Sequence, residues 1–188
     1  MGKSLRNLLL LGIIAEMLIF LSCYLMHPDL GEAFRHAARY SGRLSALVFI
    51  GTFYVFASSH PKPIKENPWL VNLLSLFAVL HLIHFGFLAT NVYLNDIPLV
   101  PVKLTGGALA YLMIVAAPFI LSRLKLAFQL TYFYYVSIVM IITYVARIKG
   151  DFEGAEPFCF HYLAMGILII GCLAFGAMIY RSSRKLAA

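Results

Sequence analysis

Six long apolar runs constrain the fold of this chain more than any other feature. They cover about residues 8–26, 41–59, 69–93, 105–122, 126–147 and 161–180. Each run is long enough to cross a hydrocarbon core about 30 Å thick, and in lipid its backbone has to satisfy its own hydrogen bonds as a helix. With 62% hydrophobic and 12% charged residues, the chain cannot cover its apolar side chains in water. We therefore predict an all-α integral membrane protein, a single six-helix bundle over residues 1–188.

The basic residues at the helix ends indicate the orientation of the bundle. One side carries nine of them and the other six: Lys3, Arg6, Lys62, Lys65, Arg123, Lys125, Arg181, Arg184 and Lys185 against Arg35, Arg39, Arg43, Lys103, Arg147 and Lys149. Because short basic loops stay inside, we expect cytoplasmic N- and C-termini, in a bacterial inner membrane. The net charge of +7 is thus explained by topology, and we expect no nucleic-acid partner.

The third run contains two histidines, His81 and His84, which share one helix face because they are three residues apart. Polar side chains inside lipid are costly and need a partner. A buried neutral imidazole is a good axial ligand for haem iron, so both residues are candidate metal ligands. The alternative is that both are hydrogen-bonded to neighbouring helices, and the spacing leaves the two interpretations open.

Other polar and aromatic residues also leave alternatives open. Glu16 in the first run is either a relay or substrate-binding group or a neutral acid bonded to a neighbour. Arg43 either binds a carboxylate or phosphate or anchors its helix at the interface. Residues 132–135 could border a flat cofactor or a quinone, or pack in the core. Cys23 and Cys159 lie near the same face, as a disulfide or as two thiols.

Three stretches resemble one known family over roughly residues 36–120. Residues 40–47 (YSGRLSAL) are similar to the Gly-Arg opening of the family's second helix. Residues 73–84 are similar to its third helix, and residues 104–110 (LTGGALA) to the start of its fourth. The family is the ferric reductase-like transmembrane domain, which includes the haem-bearing membrane subunit of methionine sulfoxide reductase systems. Six spans with both ends inside agree with this resemblance.

The resemblance implies a b-type haem held by histidines of helices 3 and 5. His81 matches the helix-3 position, but the fifth run contains no histidine, and Gln129 or Thr131 lies near the expected place. Two bis-histidine haems are therefore excluded. A single haem would need His161 or His36 as its second ligand.

Two hypotheses follow for the function. In the first, one b-type haem ligated by His81 or His84 transfers electrons between a quinol or partner redox protein and an acceptor on the outer side. Arg43 and His161 are further candidate cofactor-binding residues. In the second, motivated by the missing histidine, the chain is a haem-free accessory or structural subunit of a larger membrane complex, or binds a lipid-like molecule.

Overall fold

The computed structural model describes residues 2–151 and 158–187, and these residues form six long helices. All six are long and apolar enough to cross a membrane, and the described residues form no strand. The predicted all-α, six-span architecture is confirmed, whereas the side on which the termini lie stays a prediction. The helices are α1 (Lys3–Met26), α2 (Leu30–Ser59), α3 (Pro68–Leu94), α4 (Pro101–Ile120), α5 (Leu126–Lys149) and α6 (Cys159–Ala187).

Helix α2 begins eleven residues before its predicted start at residue 41, at Leu30. Asp29 caps it, since its Oδ1 accepts the backbone N–H of Glu32 at 2.8 Å. His36 is therefore part of a helix and not of the connecting loop where the sequence placed it. Residues 40–43 likewise lie inside α2 and do not open it. The polar residues of this first segment hid it from a search for apolar runs.

The described chain divides by packing into two compact units. Unit 1 contains Met1–Phe49 and Val71–Pro118, and unit 2 contains Ile50–Leu70 and Phe119–Ala188. Within unit 1, α1 approaches α3 closely at Gly12, where an added Cβ would lie 2.7 Å from Cδ1 of Leu76. A glycine allows such close helix contact in lipid, where packing drives association.

A polar network joins the start of α2 to the end of α3 within unit 1. Arg35 donates to Oε1 of Glu32 at 2.6 Å and to Oδ1 of Asn95 at 3.2 Å. Asn95 in turn donates to the carbonyls of Gly31 and Asn91 at 3.2 and 3.0 Å. These bonds give the polar side chains partners at the ends of apolar helices, so we read the network as structural.

Aromatic rings form the core of unit 2. Phe133 of α5 is fully buried and stacks with Phe53 and Phe56, with ring centroids 4.7 and 4.5 Å apart. The hydroxyl of Tyr134 donates to the carbonyl of Cys172 at 3.0 Å and so connects α5 to α6. At the other end of α5, Gly150 ends the helix with a left-handed φ of 75°, a conformation that glycine adopts without strain.

His60 connects the end of α2 to the last turns of α6, also in unit 2. Its Nε2 lies 3.0 Å from Oγ of Ser183, and its backbone carbonyl accepts the hydroxyl of Ser182 at 2.8 Å. His60 lies just beyond the spanning segment Leu30–Ser59. Two bonds from one residue thus hold the C-terminal end of α6.

We expect this connection to weaken in acid. Burial lowers the pKa of His60, so the unfolded chain takes up a proton more readily than the folded one as the pH falls through about 6.5. The contribution of neutral His60 to the free energy of unfolding is complete above that pH. It is lost as the pH falls through the lower pKa that His60 has in the folded protein. Thermal unfolding in detergent between about pH 5 and 8 measures it. His60→Gln should flatten the pH dependence, and an unchanged slope would contradict the assignment.

Candidate intramembrane binding site

Four helices of unit 1 place polar side chains near one another inside the apolar unit. We call this set the polar cluster; it consists of Glu16 of α1, Ser41 and Ser45 of α2, His81 and His84 of α3, and Tyr111 of α4. The spacing explains the arrangement, because residues three or four apart on a helix share a face. This spacing places the two serines on one face of α2 and the two histidines on one face of α3, whereas α1 and α4 contribute one residue each.

Glu16 is the most deeply buried acidic residue of the described chain, with 1% of its surface exposed. Its Oε1 accepts the hydroxyl of Ser41, itself fully buried, at 2.9 Å. Its Oε2 is buried and has no hydrogen-bond partner among the described residues. A buried oxygen without a donor is costly for an ionised carboxylate and much less so for a neutral acid.

His81 is oriented by the next hydroxyl along α2. Its Nδ1 lies 2.7 Å from Oγ of Ser45, within hydrogen-bond distance. Its ring lies 4.4 Å from that of Tyr111 and 5.2 Å from that of Phe77, centroid to centroid. Since the bond to Ser45 occupies Nδ1, Nε2 is the nitrogen that a ligand would contact. The residue as a whole is half-buried.

His84 packs directly over α2. A Cβ added at Gly42 would lie 2.9 Å from Cε1 of the His84 ring, closer than real Cβ contacts. The ring centroids of His81 and His84 are 5.5 Å apart. Gly42, in the stretch 40–47, thus makes room for the second histidine of the cluster.

Replacing Gly42 with alanine should displace the His84 ring and disturb the cluster. The new methyl group has to move the imidazole by a few tenths of an ångström, so we expect a changed His84 side-chain NMR signal. Gly51→Ala on the same helix is the matched control, because nothing lies within 4 Å of a Cβ added there. Equal spectra for the two variants would show that Gly42 does not contact His84.

The remaining predicted site residues lie elsewhere. The guanidinium of Arg43 lies 5.1 Å above the ring of Tyr40, a cation–π arrangement. His161 belongs to unit 2, where it is buried with its ring 6.2 Å from that of Tyr144. His36 stacks on His27 at 4.0 Å. The structure therefore brings His81 and His84 together, as predicted from their spacing, while the ligand role of every candidate residue stays a prediction.

The residues near the expected fifth-helix ligand and the cysteines have other roles. Gln129 donates to the carbonyls of Leu121 and Leu124 at 3.2 and 2.9 Å, which gives partners to two carbonyls of the turn between α4 and α5. Cys23 and Cys159, a pair that the sequence left open, are free thiols. Within residues 2–151 and 158–187, no group of three or more histidine, cysteine or acidic side chains could hold a metal ion.

Sequence reasoning missed three members of the cluster, namely Ser41, Ser45 and Tyr111. Serines four residues apart in an apolar run are a signal of one polar helix face, and Ser41 and Ser45 carry it. Tyr111 offered no such pattern, since single tyrosines are common in membrane helices.

No protein-family model, curated protein or solved structure matches this chain. The resemblance to the ferric reductase-like family accordingly stays a prediction, and the geometry of the polar cluster carries the functional argument.

Proposed function

We propose that the protein binds the ring head group of a lipid-soluble carrier of the quinone class at the polar cluster. The observation that carries the proposal is His81: an imidazole oriented by Ser45, stacked near Tyr111 and half-buried among apolar helices. Sites for small apolar ligands combine aromatic walls with a few oriented polar groups, and this cluster has both.

The surroundings of His81 suit a flat ring with a long apolar tail. Phe85 is 50% exposed, and its ring lies 5.0 Å from that of Tyr111. Leu82, next to His81, is 47% exposed on the outer surface of the same helix. A quinone ring could stack against these aromatic side chains while its isoprenoid tail stayed in lipid. Its carbonyl oxygens would accept hydrogen bonds from the cluster.

The two histidines of the polar cluster cannot hold one haem between them. His81 and His84 leave the same face of α3 with rings 5.5 Å apart, so they cannot bind opposite faces of one haem. His27 and His36 stack on each other at 4.0 Å. The proposal therefore follows the haem-free hypothesis, in its lipid-binding form, and assigns no step to haem. The haem hypothesis remains a prediction that a spectrum can decide.

Titration of the detergent-purified protein with a short-tailed benzoquinone tests the proposal. We expect saturable binding, a higher Tm with ligand, and weaker binding in Ser45→Ala, which leaves His81 without its orienting bond. Thr90→Ala is the matched control, since the Thr90 hydroxyl donates to the Gly86 carbonyl within its own helix at 2.9 Å. Absence of saturable binding would overturn the proposal. An absorption spectrum of the same preparation with a Soret band would favour the haem hypothesis instead.

A further inference from the structure

The carboxyl group of Glu16 is buried, and only one of its two oxygens has a hydrogen-bond partner among the described residues. One oxygen accepts the Ser41 hydroxyl at 2.9 Å, and the other, Oε2, is buried without a partner among the described residues. The residue is 1% exposed, so it is shielded from bulk solvent. Buried polar groups are nearly always hydrogen-bonded, and Oε2 of Glu16 is an exception that lies inside the polar cluster.

We infer that Glu16 is a neutral carboxylic acid whose O–H donates a hydrogen bond to the bound ligand. This inference rests on the proposed function and specifies the ligand further: it must present an acceptor, such as a quinone carbonyl, to Glu16. The proton belongs to Oε2, because Oε1 already accepts from Ser41. Binding then gives a partner to Oε2, which has none among the described residues.

The position of Glu16 relative to His81 supports a shared ligand. Ser41 contacts Glu16, and Ser45 contacts His81. The two serines are four residues apart on α2, which places them about 6 Å apart along the helix axis. The width of one substituted ring is comparable to this separation. A ring could thus contact Glu16 at one end and His81 Nε2 at the other.

Besides Glu16, the titratable groups of the polar cluster lie on α3 and α4. They are the imidazoles of His81 and His84 on α3 and the phenol of Tyr111 on α4. Ser41 of α2 is neutral. A neutral Glu16 is consistent with these neighbours, because none is a permanent positive charge that would stabilise a carboxylate.

Infrared spectroscopy of the purified protein tests the protonation and the contact together. We expect a C=O stretching band of a neutral carboxylic acid that disappears in Glu16→Gln. Glu32→Gln is the control. It should retain the band, because the band belongs to Glu16, whereas Glu32 is paired with Arg35 at 2.6 Å. Saturating short-tailed benzoquinone should shift the band, whereas an alkylbenzene with the same tail, which lacks carbonyls, should not.

Binding measurements provide the second test. Glu16→Gln keeps a donor and a similar size, so it should bind the quinone nearly as well as the wild type. Glu16→Leu removes the donor and should weaken binding roughly tenfold, equivalent to about 1.4 kcal/mol. Comparable binding by both variants and the wild type would contradict a hydrogen bond between Glu16 and the ligand.

The outcomes separate this inference from the proposed function. If the wild type binds quinone but shows no acid band, or a band that quinone leaves unchanged, the inference about Glu16 is wrong and the binding function stands. If the wild type binds no quinone, the proposed function fails and the ligand contact fails with it. The presence or absence of the band then still reports whether Glu16 is neutral.

Discussion

Replacing His81 with leucine is expected to weaken quinone binding by about 5- to 150-fold. This range corresponds to the loss of a buried hydrogen bond of about 1–3 kcal/mol. Leucine fills a similar volume, but it can neither contact a carbonyl nor bond to Ser45, which lies 2.7 Å from His81 Nδ1. Equilibrium titration with the short-tailed benzoquinone used for the wild type measures the loss.

His27→Leu is the control for this experiment, because His27 stacks on His36 outside the polar cluster. It should bind like the wild type. Both variants should elute as monodisperse species with similar Tm, which separates lost binding from lost folding. Unchanged affinity in His81→Leu would contradict the central role given to this imidazole.

Phe133→Ala should lower the free energy of unfolding by about 3–5 kcal/mol, the range measured for large aromatic residues in packed cores. Phe133 is fully buried, and its ring stacks with those of Phe53 and Phe56 at 4.7 and 4.5 Å. Truncation leaves a cavity that neighbouring rings cannot fill. Reversible unfolding in mixed detergent micelles measures the change.

Phe128→Ala on the same helix is the matched control. Its side chain is 60% exposed on the outer surface of α5, so lipid or detergent replaces the removed ring and the loss should be small. Similar losses for the two variants would show that the aromatic cluster of unit 2 contributes little to stability.

The number and positions of the six spans could be predicted from hydropathy, because the bilayer sets the length of an apolar helix. The first eleven residues of α2 could not be predicted from hydropathy. Arg35, His36 and Arg39 interrupt the apolar pattern there, and the helix depends on the Asp29 cap and on the bond between Arg35 and Asn95. The bond between Arg35 and Asn95 joins residues far apart in the chain and leaves no periodic signal.

The candidate site was predictable in part. His81 and His84 were found because imidazoles are rare and costly inside apolar runs. Their partners were not, because the choice of Ser45 for His81 and of Ser41 for Glu16 depends on how α1, α2 and α3 pack. Gly42 belongs to the stretch 40–47 that carries the family resemblance, whereas its close approach to His84 required the three-dimensional structure.

The two serines of α2 have a mechanical consequence. The hydroxyls of Ser41 and Ser45 project from one side of α2. A rotation of α2 about its long axis would therefore break the hydrogen bonds to Glu16 and to His81 together. A ligand that contacts both Glu16 and His81 would hold α2 at one rotation angle. Occupancy of the site should therefore affect the part of α2 that belongs to unit 1, as far back as its Asp29 cap.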